Sequence, residues 1–226
     1  MRTKKKTGAS QGVQPALEGV TPEGQKVAET EVEAYTYIYN RLKALGWSVK
    51  NPTLGRGGNV WTQNQCLMHP VMKVAFGQCR PEYVVKISER LVWIIESKAT
   101  RGELDLAVEE ARDVYAGAIN ACAITDFKAC VVSGVAGNDD AGFAVRSHVY
   151  ADGRWQGITI NGQLATGLLS PDNVAVLLRT GVADIHDFVP PLAYSWKQPR
   201  TSTRFYTTVA LTRTTERRLL QRFCYQ

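Results

Sequence analysis

The sequence contains no uninterrupted apolar run of about 18 residues, the length a membrane-spanning helix needs, and its first twenty residues lack the apolar region of a secretory signal. The expectation is therefore a cytoplasmic protein with no membrane partner. Cysteine is sparse and odd in number, five in 226 residues without tight pairing, which argues for reduced thiols rather than a disulfide framework. Cys66, His69 and Cys79 form a cluster with loose ligand spacing, but it lacks a CxxC-like pair and a fourth ligand close by. A zinc-stabilised binding domain is accordingly the weakest of the readings weighed. There is no Walker motif, no Gly-x-Gly-x-x-Gly, no Ser-His-Asp signature and no internal repeat. Phosphate-loop, dinucleotide-binding, triad-hydrolase and solenoid chemistries thus have no support.

What is present suits one domain of moderate size with tails, long enough to bury a core. The formal net charge of +6 permits a polyanionic partner. Residues 1–20 are basic and then rich in Gly, Ser, Gln and Pro, and read as a disordered arm. The folded domain is expected over 21–189, and Pro190-Pro191 marks the start of a C-terminal extension over 190–226. That extension holds a basic amphipathic stretch from Thr214 to Cys224 with Arg217, Arg218 and Arg222.

The chain is organised around Arg80 to Lys98. Val84, Val85 and Ile87 mark one strand, and Leu91 to Ile95 form a near-continuous apolar run typical of a strand buried on both faces. Ser88-Glu89-Arg90 is the polar turn between them. Side chains alternate along a strand, so Glu96 and Lys98 share a face and Ser97 takes the other. A hairpin centred on Glu89 sets Glu82 opposite Glu96, with Cβ atoms roughly 4.5–5.5 Å apart. Two carboxylates that close repel unless one is protonated or both bind a cation, and hard oxygen ligands suit Mg²⁺ or Mn²⁺.

Pro81-Glu82, a turn, then Glu96-Ser97-Lys98 resembles the PD-(D/E)xK motif of restriction-endonuclease-like nucleases, in particular the N-terminal nuclease domain of type I restriction enzyme motor subunits. The resemblance covers roughly residues 25 to 135. It implies an α/β fold with a central mixed β-sheet flanked by helices, and metal-dependent hydrolysis of DNA. It further implies a site in which Glu82, Glu96, Glu31 and the Ser97 carbonyl hold Mg²⁺ or Mn²⁺ while Lys98 acts on the attacking water or the developing charge. The partners implied are DNA and the motor, methyltransferase or specificity subunits of a restriction system. The chain departs from the pattern in two places: Glu82 stands where Asp is usual, and Ala111 where the family has the glutamine of Gln-x-x-x-Tyr, with Tyr115 matching the tyrosine. These departures keep open an alternative, a non-catalytic DNA-binding or assembly module on a decayed nuclease fold.

Around this hairpin, Thr21-Pro22 is expected to open a helix that runs to Gly46 with Ala34, Tyr35, Ile38, Leu42 and Leu45 inward, and Glu31 falls on the same apolar stripe. Trp47 to Val49 suggests a short strand, Asn51 to Gly58 a loop carrying Arg56, and Val71 to Phe76 a strand. A helix is expected over Gly102 to Ala121, packing Leu104, Val108, Ala111, Val114, Tyr115 and Ala118 and turning Glu103, Glu109, Glu110 and Arg112 outward. A strand from Phe127 follows, so that strand, helix and strand form a crossover. After it come a turn region over Gly134 to Gly142, a hairpin about Asp152-Gly153, and a helix capped by Ser170 that ends at Gly181.

Overall fold

The computed structural model describes residues 31–55 and 57–186. The expected helix start at Thr21, the basic arm, Arg56 and the C-terminal extension lie outside the described residues. No described helix is long and apolar enough to cross a membrane.

The architecture is α/β, with a central mixed sheet of six strands flanked by helices. In chain order the elements are α1 (Val32–Ala44), β1 (Val60–Thr62), α2 (Gln63–Met68), α3 (Pro70–Phe76), β2 (Tyr83–Lys86) and β3 (Leu91–Lys98). A helix follows in three parts, α4 (Leu104–Glu109), a π-helical stretch (Glu110–Ala116) and α5 (Gly117–Ala121). Then come β4 (Lys128–Asn138), β5 (Gly142–Ala151), β6 (Arg154–Gly157), β7 (Thr159–Ile160), β8 (Gln163–Leu164), α6 (Pro171–Thr180) and β9 (Asp184–Ile185). The large sheet runs β1-β2-β3-β4-β5-β6, with β3 and β4 parallel and every other neighbour antiparallel. A small sheet, β8-β7-β9, lies beyond it in sequence.

The parallel β3–β4 pair requires a crossover, and the α4–π–α5 helix supplies it. Asn120 fastens the end of that helix to β4, its side chain accepting from the Ala129 amide at 2.7 Å and donating to the Ala129 carbonyl at 3.1 Å. β3 is buried on both faces. Leu91, Trp93 and Ile95 join the core formed with Ile38 and Leu42 of α1 and Leu177 and Leu178 of α6. Val92 and Ile94 join the opposite core with Met72 and Phe76 of α3 and Ala111, Tyr115 and Ile119 of the crossover helix. Each such side chain, fully buried, contributes roughly 1.5–3 kcal/mol. Five in succession along β3 offset the cost of ending the strand in a buried carboxylate.

Several local expectations are corrected. Val71–Phe76 is helical, not extended: Pro70 occupies the first helical position and His69 Nδ1 caps the helix by accepting from the Met72 amide at 3.3 Å. Trp47 to Val49 forms no strand. Trp47 is instead held by its indole N–H, which donates to the Leu169 carbonyl at 2.8 Å. β4 runs on through Gly134 to Asn138, so the turn before β5 is confined to Asp139–Ala141. The hairpin about Asp152-Gly153 forms as expected, with φ of 51° and 77° at its two turn residues. Ser170 caps α6 by accepting from the Asn173 amide at 3.2 Å.

Candidate active site

β2 and β3 pair in the register Tyr83↔Ile95 through Lys86↔Val92, which centres the hairpin on Glu89; Glu82 lies in the bend just before β2, beside Glu96. The Ser88 hydroxyl closes the turn by accepting from the Arg90 and Leu91 amides at 3.3 and 3.2 Å. By alternation from Val92 and Ile94, the side chains of Glu96 and Lys98 lie on the sheet face covered by the crossover helix. Ser97 points to the α1 side, where its hydroxyl is buried without a hydrogen-bond partner.

Glu96 is 3 % exposed, and its Oε2 accepts from the Glu82 amide at 3.4 Å. Lys98 Nζ lies 3.3 Å from Glu96 Oε1, 3.5 Å from Glu31 Oε1 and 2.9 Å from Glu110 Oε2. Three carboxylates thus share one ammonium. Burial pushes the Glu96 carboxyl up to about 8, against the pull of Lys98 and with the further push of Glu82 and Glu110. Burial likewise raises Glu82 to about 7, aided by the charge of Glu31 and opposed by Lys98. For Lys98, burial works to depress its value, but the hydrogen bond to Glu110 and the fields of Glu96, Glu31 and Glu110 win and hold it above the ordinary lysine range.

Glu31 reaches the site by another route than expected. It stands at the N-terminal end of α1, exposed, rather than on the buried stripe, because the inward positions are Ala34, Ile38 and Leu42 and Glu31 precedes the first of them where the helix begins. From there it meets Lys98 past the end of the sheet. Glu31 and Glu82 line one cleft of about 490 Å³ with Tyr35, Gln63 and Asn64. Tyr35 and Tyr83 stack with centroids 4.6 Å apart, and the Tyr83 hydroxyl donates to the Tyr35 carbonyl at 3.1 Å, which ties α1 to β2 beside the cleft.

Glu110 is the participant that helical periodicity misplaces. Its amide still bonds to the Leu106 and Ala107 carbonyls, so its direction is the one α4 sets, between buried Ala107 and Ala111, and from there its carboxylate meets Lys98 Nζ at 2.9 Å. From Glu110 onward the helix takes π geometry, marked by the Gly117 amide donating to the Arg112 carbonyl five residues back. Val114, expected inward, lies within that stretch and is 42 % exposed. Ala111 is fully buried in the apolar core, and Tyr115 packs edge-on against Phe76 with centroids 6.4 Å apart. Burial, then the Glu96 and Glu110 carboxylates, raise the Tyr115 hydroxyl above the usual phenol range.

Among the described residues no three His, Cys, Asp or Glu side chains are gathered as a ready metal cage. That holds for Cys66, His69 and Cys79 as well: Cys66 is buried in the core and its thiol pushed up to about 12 by that burial, while His69 Nδ1 caps α3. For Mg²⁺ a cage is not required, since the ion keeps several waters and is bound through one or two carboxylates together with substrate phosphates. The donor chemistry at Glu82 and Glu96 fits such an ion: two opposed carboxylates, both destabilised as anions by burial, regain charge balance from a divalent cation. No protein-family model, curated protein or solved structure matches the chain.

Proposed function

We propose that the chain is a Mg²⁺- or Mn²⁺-dependent endonuclease of restriction-endonuclease-like fold that hydrolyses DNA phosphodiester bonds. The observation that carries this reading is the contact of Glu82 with Glu96, the Glu82 amide donating to Glu96 Oε2 at 3.4 Å, on a strand end that also presents Lys98, 3.3 Å from Glu96, on the same face. Glu82 and Glu96 would hold the ion, with the Ser97 carbonyl and Glu31 as additional oxygen donors. When bound, the ion lowers the pKa of a water and offsets charge on the phosphate. Lys98 sits where an ammonium can orient that water or stabilise the phosphorane charge. Burial of Glu96 keeps bulk water from competing at the carboxylate. The cleft beside Glu82, with the Gln63 and Asn64 amides and Tyr35 along it, offers polar contacts for a nucleic-acid strand. Motor, methyltransferase or specificity subunits are the proposed partners in a restriction system.

A second reading has its own support. Lys98 already neutralises Glu31, Glu96 and Glu110 in part, and Ala111 offers no polar group to the site. Both features suit a non-catalytic DNA-binding or assembly module. Calorimetric titration of Mn²⁺ into the protein, with and without duplex DNA, separates the two. The enzyme reading expects binding that Glu82→Gln and Glu96→Gln each weaken. DNA binding that is indifferent to Mn²⁺ and to both substitutions favours the module.

A further inference from the structure

The crossover helix leaves α geometry at the residue that touches Lys98. α4 ends at Glu109, and the π stretch begins at Glu110, whose Oε2 lies 2.9 Å from Lys98 Nζ, the shortest of that ammonium's three carboxylate contacts. π stretches are rare, give poorer backbone geometry than an α-helix, and concentrate at functional positions. Ala107, Val108, Ala111 and Ala116 are small or compact, and α4 already lies against the sheet so closely that a Cβ on Gly134 would come within 2.6 Å of the Val108 amide nitrogen. Glu110, whose amide still bonds back to Leu106 and Ala107, takes its direction from α4, and its carboxylate reaches an ammonium that is 13 % exposed.

The other two carboxylates are placed differently. Glu96 is fixed by its own strand, two residues from Lys98, and Glu31 is exposed at a helix end. Neither reaches Lys98 from the crossover helix itself. Glu110 does so from a helix that is itself anchored at both ends, by the Thr100–Glu103 capping box and by the Asn120 clamp on β4.

We infer that Glu110 is a positioning residue for Lys98, held in place by α4 of the crossover helix, and that it fixes the direction of the lysine ammonium beside Glu96. The inference rests on the nuclease reading for its consequence in catalysis, but not for the contact itself.

The test uses the full chain labelled with ¹⁵N-lysine, as wild type, Glu110→Ala and Glu110→Gln, with Lys98→Arg to assign the signal. A held ammonium gives a distinct, slowly exchanging ¹⁵Nζ resonance. The wild type and Glu110→Gln, whose amide oxygen can still accept from the ammonium, are expected to show it. Glu110→Ala is expected to lose it while the backbone spectrum elsewhere is unchanged. In Mg²⁺-dependent DNA cleavage, Glu110→Ala is expected to lower kcat roughly 10–100-fold, the usual cost of losing an outer-shell partner, with KM for DNA little changed and with most of the loss recovered in Glu110→Gln. A Lys98 resonance unaltered in Glu110→Ala overturns the inference, as does a kcat loss that Glu110→Gln fails to recover. A wild type that holds the Lys98 resonance but cleaves nothing retires the nuclease reading, and the resonance in Glu110→Ala then decides the role of Glu110 by itself.

Discussion

The Glu82 amide donates to Glu96 Oε2 at 3.4 Å, so the backbone of one strand end steadies the carboxylate of the other. That contact exists because β2 and β3 keep a single register from Lys86–Val92 to Tyr83–Ile95, with no bulge between them. A one-residue slip would turn both glutamates to the opposite face. The site is therefore a property of the hairpin.

The first concerns pH. In metal-free buffer the folded Glu96 and Glu82 carboxyls sit at about 8 and about 7, above their ordinary value of 4.5, with burial the main cause. Between pH 4.5 and 8 the folded state therefore holds more protons than the unfolded chain, and stability falls as pH rises through that window. Groups facing Glu96 are Glu82, Lys98, Glu110 and the Tyr115 hydroxyl; of these, Glu82 titrates in the same window with the same sign. Thermal unfolding in EDTA should show the melting temperature several degrees higher at pH 5.5 than at pH 8.5. Glu96→Gln should flatten the profile and raise the value at pH 8.5. A wild-type melting temperature that climbs with pH across this range would contradict the account.

The second concerns the seat of the crossover helix. A Cβ at Gly134, next to Glu96 in the β3–β4 register, would lie 2.6 Å from the Val108 amide nitrogen and 2.7 Å from its Cγ2, so the backbone of α4 must move to admit it. Gly134→Ala should cost about 1–3 kcal/mol, as overpacking does, read from the midpoint of denaturant unfolding. Gly102→Ala, where an added Cβ meets nothing within 4 Å, is the control and should leave the midpoint in place.

The third concerns residues 1–20, which include Arg2, Lys4, Lys5 and Lys6. If these contact phosphates, their removal weakens DNA binding at low salt and makes the dependence of affinity on salt shallower. Fluorescence anisotropy over a salt series measures both. Unchanged affinity and slope would assign the segment no part in binding.

Much of the hairpin could be read from the sequence because a strand has a period of two and a turn has its own chemistry. Centring on Glu89 was enough to oppose Glu82 and Glu96 and to put Lys98 beside the latter. The helical side was less legible. Periodicity turns Glu110 outward because the stripe is drawn through Ala111 and Val114, and nothing in Glu110–Ala116 announces the π stretch that leaves Val114 exposed; the hint toward Glu110 is that it directly precedes Ala111, on the stripe facing the motif strand. Spacing alone puts Glu31 on the buried stripe, since it cannot tell where a helix clears the edge of its sheet. A short apolar run such as Val71–Phe76 has no clear period and so reads as a strand. The signal that settles it is His69-Pro70, a cap followed by a proline at the first helical position.

The most direct test of the central claim is nicking of supercoiled plasmid DNA by the full-length protein in Mg²⁺ or Mn²⁺, alone and with motor, methyltransferase or specificity subunits. The account predicts cleavage that EDTA stops, and losses of at least about a hundredfold in Glu96→Ala and Lys98→Ala, comparable to removing one transition-state electrostatic contact, while both variants remain folded. Absence of cleavage under every metal and partner condition, together with a Glu96→Ala variant that fails to fold, would contradict it and make Glu96 a structural residue of a binding module.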